Sequence, residues 1–252
     1  MSLGRIALAC ALALAVAGCN GDKRPFFQGW IEAELIFVGP DEPGRIETLA
    51  VREGDQVEHR SPLFSLDSDL QTADVAMQQA AVKNAQIAFD RAHQLLKTQS
   101  GTQRAVDDAE AALRTSQARL NSAQTRLARR KVASPVTGTV QQIYYRVGEM
   151  VPAGKSIVAL LPPSNLKVRF FVNEAMLPKL AIGDTVHVSC DGCDRAISAQ
   201  ISFVARTSEF TPPVIYSTEE RSKLVFLIEA RPQHPERLRV GQPVSVALDQ
   251  IK

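Results

Sequence analysis

The chain has 252 residues, of which 45% are hydrophobic and 22% are charged, and its formal net charge at pH 7 is +2. This near-neutral charge gives no reason to expect a nucleic-acid-binding protein, because such proteins usually have a strongly basic surface. The length allows one or two compact domains with buried cores.

Residues 1–18 have the layout of a secretory signal, with Arg5 ahead of an apolar run over 6–17 that is short for a membrane span. The stretch VAGC, which ends at Cys19, resembles the lipobox of bacterial lipoproteins, in which the cysteine is acylated and becomes the first residue. We therefore predict a lipoprotein signal peptide over 1–18, a lipid on Cys19, and an anchor linker and entry strand over 19–39. The alternative is an ordinary signal peptide or an uncleaved anchor, in which Cys19 has no role.

Two segments are similar to each other at a constant offset of 94 residues: GRIETLAVREGDQVEHRSPLFSL from Gly44 and GTVQQIYYRVGEMVPAGKSIVAL from Gly138. Each copy has a strand, a glycine-containing turn with an acidic residue, and a second strand with alternating apolar positions. Neither copy can bury its apolar face alone. We therefore predict that residues 40–68 and 132–162 together form one small β-sandwich.

The segment between the copies, residues 69–131, has no proline and a single glycine, Gly101, and is rich in good helix formers. Apolar residues recur every seven positions on each side of that glycine, which indicates a coiled-coil seam. The seam residues are Val75, Val82, Phe89 and Leu96 before it, and Val106, Leu113, Leu120 and Leu127 after it. Because the two sets are mirror-related about residue 101, we predict an antiparallel helical hairpin that turns at Gly101 with a positive φ.

Residues 163–252 contain segments in which apolar and polar residues alternate, as they do in half-buried strands. Five or six strands with this spacing predict a small antiparallel β-barrel. NEAMLPKL, between the first two strands, is predicted to form one short helical turn. FTPPVIYSTEERS, with paired prolines, is predicted to be a long loop.

This order of segments resembles the periplasmic adaptor, or membrane fusion protein, family of the HlyD type. The resemblance begins near Gly29 with GWIEAELIFVGPDEPGRIETL and continues through VASPVTGTVQQIYYRVGEM, VNEAMLPKLAIGDTV and LRVGQPVSVAL. It implies a mixed α and β, elongated fold: a lipoyl-like β-sandwich split by an antiparallel coiled-coil α-hairpin and followed by a small antiparallel β-barrel. Many members continue past the barrel into a membrane-proximal domain or begin with a transmembrane helix, whereas this chain ends at Lys252 and carries a predicted lipid.

The resemblance implies a function that is not enzymatic. Such adaptors form rings that bridge an inner-membrane transporter to a TolC-like outer-membrane duct in the periplasm of Gram-negative bacteria. For this chain we expect an ABC-type transporter rather than an RND-type one, because the compact sequence lacks a large membrane-proximal domain. We expect lipid anchoring at the inner membrane, and no nucleic-acid partner. A lipid-anchored envelope scaffold without a transport role is the alternative.

The turn of the hairpin resembles the family's tip motif, Arg-x-x-x-Leu-x-x-x-x-x-x-Ser, with Arg91, Leu95 and Thr102 at the three positions. The motif implies docking on the rim of a TolC-type duct. Arg91 would offer a rigid fork of donors, Leu95 an apolar knob and Thr102 a hydroxyl group. The alternative is structural: Arg91 is a solvated charge, Leu95 belongs to the seam beside Leu96, and Thr102 caps the returning helix.

We predict no catalytic residues, no metal site and no cofactor. The alternative of a biotinyl or lipoyl carrier domain is disfavoured. In such domains the modified lysine lies at the turn between the two halves of the sandwich, where this chain has the hairpin. His187, Cys190 and Cys193 have metal-like spacing, but His187 points away from the cysteine face of the predicted strand. We predict a Cys190–Cys193 disulfide across a type I′ hairpin turn at Asp191-Gly192, and thiol exchange is the alternative.

Overall fold

The computed structural model describes residues 26–193, 195–210 and 224–248. These residues form two compact units: one lies within residues 34–163, and the other combines strand β1 (Phe26–Ala33) with the chain from Ser164 onward. The predicted signal peptide, the lipid site at Cys19 and most of the predicted FTPPVIYSTEERS loop lie outside the described residues.

The first unit contains a β-sandwich of two four-stranded sheets. Its strands are β2 (Ile36–Val38), β3 (Gly44–Leu49), β4 (Gln56–Val57), β5 (Pro62–Leu66), β6 (Lys131–Ala133), β7 (Gly138–Ile143), β8 (Met150–Val151) and β9 (Val158–Leu161). One sheet has the order β2-β9-β7-β4 and the other has the order β6-β5-β3-β8, so each sheet combines strands from both sequence copies.

The pairing of the two copies follows the offset of 94 residues. Gly44 in β3 pairs with Val151 in β8, and Gly138 in β7 pairs with Val57 in β4. The same offset relates Gly44 to Gly138 and Val57 to Val151, so the sandwich has an approximate internal twofold symmetry. The β-sandwich that the repeat predicts is confirmed.

The matched apolar positions of the repeat form the core of the sandwich. They are Ile46 and Val140, Val57 and Val151, Leu63 and Ile157, and Leu66 and Leu160, and each is exposed by 5% or less. Fully burying a side chain of this size contributes about 1.5–3 kcal/mol. Because half of these side chains come from each copy, neither copy has a core of its own.

A helical hairpin separates the two copies. Its helices are α1 (Asp69–Lys97) and α2 (Gln103–Ala128). All eight predicted seam residues are buried or half-buried, whereas most residues on the other helix faces are exposed. A second row of mostly small side chains completes the seam, in which Ala123 is fully buried and Ala85, Ala92, Ala109 and Ser116 are half-buried. The predicted antiparallel hairpin is confirmed.

The reversal between the helices differs from the prediction in one respect. The residue with positive φ is Gln99, at 58°, so the predicted positive φ at Gly101 is wrong. Two backbone hydrogen bonds, Ser100 N–H to Leu95 O at 2.9 Å and Gln99 N–H to Leu96 O at 3.0 Å, form a Schellman motif with Gln99 at its left-handed position. Gly101 comes two residues later and contributes close packing instead.

The second unit contains a closed antiparallel barrel with the strand order β1-β10-β13-β12-β11-β14. Its remaining strands are β10 (Leu166–Asn173), β11 (Thr185–Ser189), β12 (Ile197–Phe210), β13 (Leu224–Pro232) and β14 (Pro243–Leu248). The predicted helical turn in NEAMLPKL is a short 3₁₀ helix over Glu174–Lys179.

Strand β1 corrects the predicted extent of the barrel. The sequence predicts the barrel in residues 163–252, and an anchor linker with an entry strand in residues 19–39. In the structure β1 pairs with β10 on one side and with β14 on the other, and thereby closes the barrel. Ile31, at the centre of β1, is fully buried in the barrel core together with Val168 and Phe170.

Cys190 and Cys193 are joined by a disulfide, with Cα atoms 5.2 Å apart, and Cys193 N–H donates to Cys190 O at 3.0 Å. The predicted type I′ turn is wrong, because a positive φ occurs at Gly192 (84°) but not at Asp191, which is the pattern of a type II turn. This turn begins a longer connection, since β11 ends at Ser189 and β12 begins at Ile197.

Candidate functional site

The end of the hairpin holds the three residues of the predicted tip motif. Arg91 and Leu95 are one helical turn apart on α1, so their side chains lie on the same flank of the helix. Leu95 is 45% exposed, whereas its neighbour Leu96 is half-buried in the seam. The alternative that places Leu95 in the seam beside Leu96 therefore does not hold.

Arg91 is exposed, and its guanidinium makes no ion pair or hydrogen bond with any other part of the chain that the structure describes. A guanidinium has five N–H donors in a planar fork, and none of them is used here. Leu95 next to it adds exposed apolar surface. A free donor fork beside an apolar side chain is an arrangement that can bind a protein surface containing carboxylates or carbonyl groups.

Thr102 is the N-cap residue of α2. Its hydroxyl oxygen accepts a hydrogen bond from Ala105 N–H at 3.2 Å, and its backbone is extended. A hydroxyl group that accepts in this way can still donate its own proton. The capping role of Thr102 therefore exists in the folded chain and leaves one donor available at the tip.

The other hydroxyl groups of the turn are used locally. Thr98 Oγ1 donates to the carbonyl oxygens of Gln94 and Leu95, and Ser100 Oγ donates to Thr98 O. Gln94 O and Leu95 O also accept backbone N–H groups, from Thr98 and Ser100, so the hydroxyl groups add a second bond at each of these carbonyls. They add to the backbone hydrogen bonds that stabilise the turn next to the flank formed by Arg91 and Leu95.

The base of the hairpin is fastened to the sandwich by Arg130, which follows α2. Its side chain is 9% exposed, donates to Pro43 O at 2.9 Å and lies 3.5 Å from a carboxylate oxygen of Glu42. The backbone carbonyl of the same residue accepts from Leu66 N–H at 2.9 Å. Sequence reasoning missed this anchor. The available signal is the run of arginines at the end of α2, which reads equally well as a solvated charge cluster.

Two more ion pairs lie near the base. Arg126 Nη2 on α2 lies 2.8 Å from Asp74 Oδ2 on α1, and Arg129 Nη1 lies 3.3 Å from Asp41 Oδ2 in the loop before β3. Because at least one partner of each pair is largely exposed, each pair contributes about 1 kcal/mol at most. The pair between Arg126 and Asp74 joins the two helices, whereas the pair between Arg129 and Asp41 joins the hairpin to the sandwich, as Arg130 does.

The remaining predicted sites do not add a chemical centre. Within the described ranges, no group of three His, Cys, Asp or Glu side chains is close enough to hold a metal ion. Cys190 and Cys193 lie in the barrel unit, apart in sequence from the hairpin tip, and their sulfurs are joined to each other. Among the described residues, no helix is long and apolar enough to cross a membrane.

Residues 34–161, about half of the chain, match the family model described as RND MFP, barrel-sandwich hybrid domain. The chain is 31% identical to a UPF0194 membrane protein of Yersinia pseudotuberculosis serotype O:3, over 88% of both chains. It is 26% identical to the UPF0194 membrane protein in the asrC 5′ region of Acidithiobacillus ferridurans, over 95% of this chain and 94% of that one.

Solved structures with the same fold include a MacA–MexA chimeric protein containing the Pseudomonas aeruginosa MexA α-hairpin domain. It has a TM-score of 0.71 and 24% identity, over 91% of this chain and 81% of that one. The membrane fusion protein Spr0693 from Streptococcus pneumoniae R6 has a TM-score of 0.70 and 19% identity, over 89% of this chain and 99% of that one. At these identities the similarity to solved structures establishes the fold. The match to the family model and the identity to the Yersinia protein establish membership of the family. The chain belongs to the membrane fusion protein family, also called the periplasmic adaptors, and is related to the UPF0194 membrane proteins.

Proposed function

We propose that this chain is the adaptor subunit of a tripartite efflux or secretion system, in which it bridges an inner-membrane transporter to a TolC-like outer-membrane duct. The observation that supports this most directly is the exposed, unpaired Arg91 beside the exposed Leu95 at the end of the hairpin. Single exposed apolar residues are common, and Ile87 on the same helix is exposed by 47%. What distinguishes Leu95 is its place at the end of the hairpin, one helical turn from an arginine whose donors are unused within the described residues.

In the proposed contact, Arg91 donates to carboxylate or carbonyl oxygens on the rim of the duct, and Leu95 fills an apolar depression beside them. The Thr102 hydroxyl, which accepts from Ala105 N–H, donates its proton to the same partner. Contacts of this kind concentrate binding energy in a few residues, typically an arginine and an apolar anchor. The locally bonded turn keeps these groups in place before docking, which lowers the entropy lost on binding.

The inner-membrane partner that we propose is an ABC-type transporter, as the sequence analysis favours. An RND-type transporter is the second candidate, because the family model matched over residues 34–161 carries RND in its name. We further propose that the mature chain is held at the inner membrane by a lipid on Cys19 and works in the periplasm as a ring of identical subunits. A ring of this kind requires a head-to-tail contact between neighbouring copies. This role is not enzymatic.

Crosslinking in whole cells, followed by purification of the full-length lipoprotein and mass spectrometry, tests the proposal. Recovery of a transporter subunit together with an outer-membrane channel supports bridging, and the class of the transporter decides between the ABC and RND candidates. Consistent absence of both, with recovery of other envelope proteins, would favour a scaffold without a transport role.

Reversing the charge of Arg91 distinguishes a docking role from a general effect of charge changes on the hairpin. Arg91→Asp is expected to remove the channel from the recovered complex while the transporter remains. Arg119→Asp is the matched control, because Arg119 is also exposed on the hairpin but lies far from the tip. Equal recovery of the channel with both variants contradicts docking through Arg91.

A further inference from the structure

Two residues other than glycine have a positive φ in the described ranges: Arg60 at 71° and Gln99 at 58°. The left-handed conformation brings the Cβ of an L-residue close to the following carbonyl oxygen, so it is unfavourable for residues other than glycine and, to a lesser degree, asparagine. Each of these positions therefore keeps a side chain at a cost in folding stability.

The internal repeat shows what the fold itself requires at one of these positions. The offset of 94 residues relates Arg60 to Gly154, whose φ is 74°. The two backbones make equivalent hydrogen bonds: Arg60 N–H donates to Ser134 O at 2.8 Å, and Gly154 N–H donates to Pro40 O at 2.9 Å. Glycine can therefore form this turn without strain. The turn itself does not require the side chain that residue 60 carries.

The side chain of Gln99 has no polar partner within the described chain. It is exposed, and its carboxamide makes no hydrogen bond to any described residue. Its polar neighbours behave differently. Thr98, Ser100 and Thr102 all use their hydroxyl groups in the turn, and the side-chain amide of Gln103 donates to Asp107 at 2.7 Å. Gln99 is thus the polar side chain of the turn itself that is left without a partner.

We propose that Gln99 is a further docking residue, whose carboxamide pairs with main-chain groups on the rim of the outer-membrane partner. This inference rests on the proposed function. The Schellman motif holds Gln99 at the turn itself, between the end of α1 and the N-cap Thr102. A carboxamide carries the same donor and acceptor as a peptide group, so it can both donate to a carbonyl oxygen and accept from an N–H group. Strain kept at an exposed position in this way is typical of binding sites.

Three variants of the full-length protein separate the carboxamide from the backbone. Gln99→Gly removes both the strain and the carboxamide, and Gln99→Ala removes the carboxamide but keeps the strain. Arg60→Gly is the matched control. It relieves the backbone strain of the other left-handed residue, which lies in the sandwich and not at the tip. Melting temperature is expected to rise for the two glycine variants and to change little for Gln99→Ala.

Affinity is measured for a purified TolC-type duct in nanodiscs, with Arg91→Asp as the reference for lost docking. We expect both Gln99 variants to bind about fivefold or more weakly, as loss of one hydrogen bond at a desolvated contact predicts, and Arg60→Gly to bind like the wild type. Wild-type affinity of either Gln99 variant, with weakened Arg91→Asp, overturns the role of Gln99 and leaves the proposed function standing. If the wild type does not bind, or Arg91→Asp binds equally well, the proposed function fails and this inference fails with it.

Discussion

A Cβ atom added to Gly101 would lie 3.0 Å from the amide nitrogen of Leu96 and 3.1 Å from the Cβ of Leu95. Gly101 therefore packs against the last turn of α1 so closely that no larger residue fits without displacing backbone.

Gly101→Ala is accordingly expected to destabilise the hairpin by about 1–3 kcal/mol, the usual cost of inserting atoms into a closely packed site. The measurement is hydrogen exchange of the α1 and α2 amides, which should become faster, while the sandwich amides keep their protection. Unchanged exchange in the hairpin would show that the turn has room for a methyl group.

Substitutions at Arg60 and Gly154, which occupy equivalent turns, are expected to change the free energy of unfolding in opposite directions. Arg60→Gly is expected to stabilise the sandwich by about 1 kcal/mol, and Gly154→Ala to destabilise it by about as much. The backbone is left-handed at both positions, and glycine adopts this conformation without the strain that a Cβ atom causes. An added Cβ at Gly154 meets no atom within 4 Å, so a clash does not contribute. Denaturant unfolding of the two variants checks this, and a change of the same sign in both would refute the conformational explanation.

Arg130→Ala should loosen the base of the hairpin. The substitution leaves Pro43 O without its donor in a nearly buried site, and we expect a loss of about 2 kcal/mol in unfolding free energy. Arg129→Ala, which removes only the exposed pair with Asp41, is the control and should cost less than about 1 kcal/mol. If thermal melting ranks the two variants in the reverse order, Arg130 is not the anchor.

Truncation of a side chain is expected to lower stability more in the seam of the hairpin than on its outer face. Leu113 is 8% exposed and Ile87 is 47% exposed. Leu113→Ala is therefore expected to cost about 2–3 kcal/mol, and Ile87→Ala less than about 1 kcal/mol. Circular dichroism during urea unfolding measures both, and equal losses would mean that the heptad positions do not carry the packing.

The sequence predicts correctly the features that depend on a repeated spacing of similar residues. The repeat identified the sandwich because its core positions recur in both copies, and the heptads identified the hairpin because every seventh residue faces the seam. The closure of the barrel by β1 could not be read in this way. Gly29 in β1 pairs with Phe170, far along the chain, and no local pattern encodes such a pairing.

The errors at the two turns have a common physical cause. Glycine at 101 and Asp-Gly at 191–192 are strong turn signals, but they indicate that a turn occurs and not which residue takes the left-handed conformation. At the hairpin tip the Schellman hydrogen bonds place Gln99 there, and Gly101 is required for close packing instead. The heptad spacing assigns Leu96 to the seam and leaves the place of Leu95 open, and helix geometry turns Leu95 outward.

Photocrosslinking from position 95 of the full-length protein in living cells tests most directly whether the hairpin tip docks on an outer-membrane duct. A benzophenone side chain replaces Leu95 in one variant and Ile87 in the control, since both residues are exposed to nearly the same extent on α1. We predict an adduct with an outer-membrane channel subunit, identified by mass spectrometry, from position 95 and not from position 87. The absence of a channel adduct from position 95, in protein that is folded and membrane-attached, would contradict the bridging function.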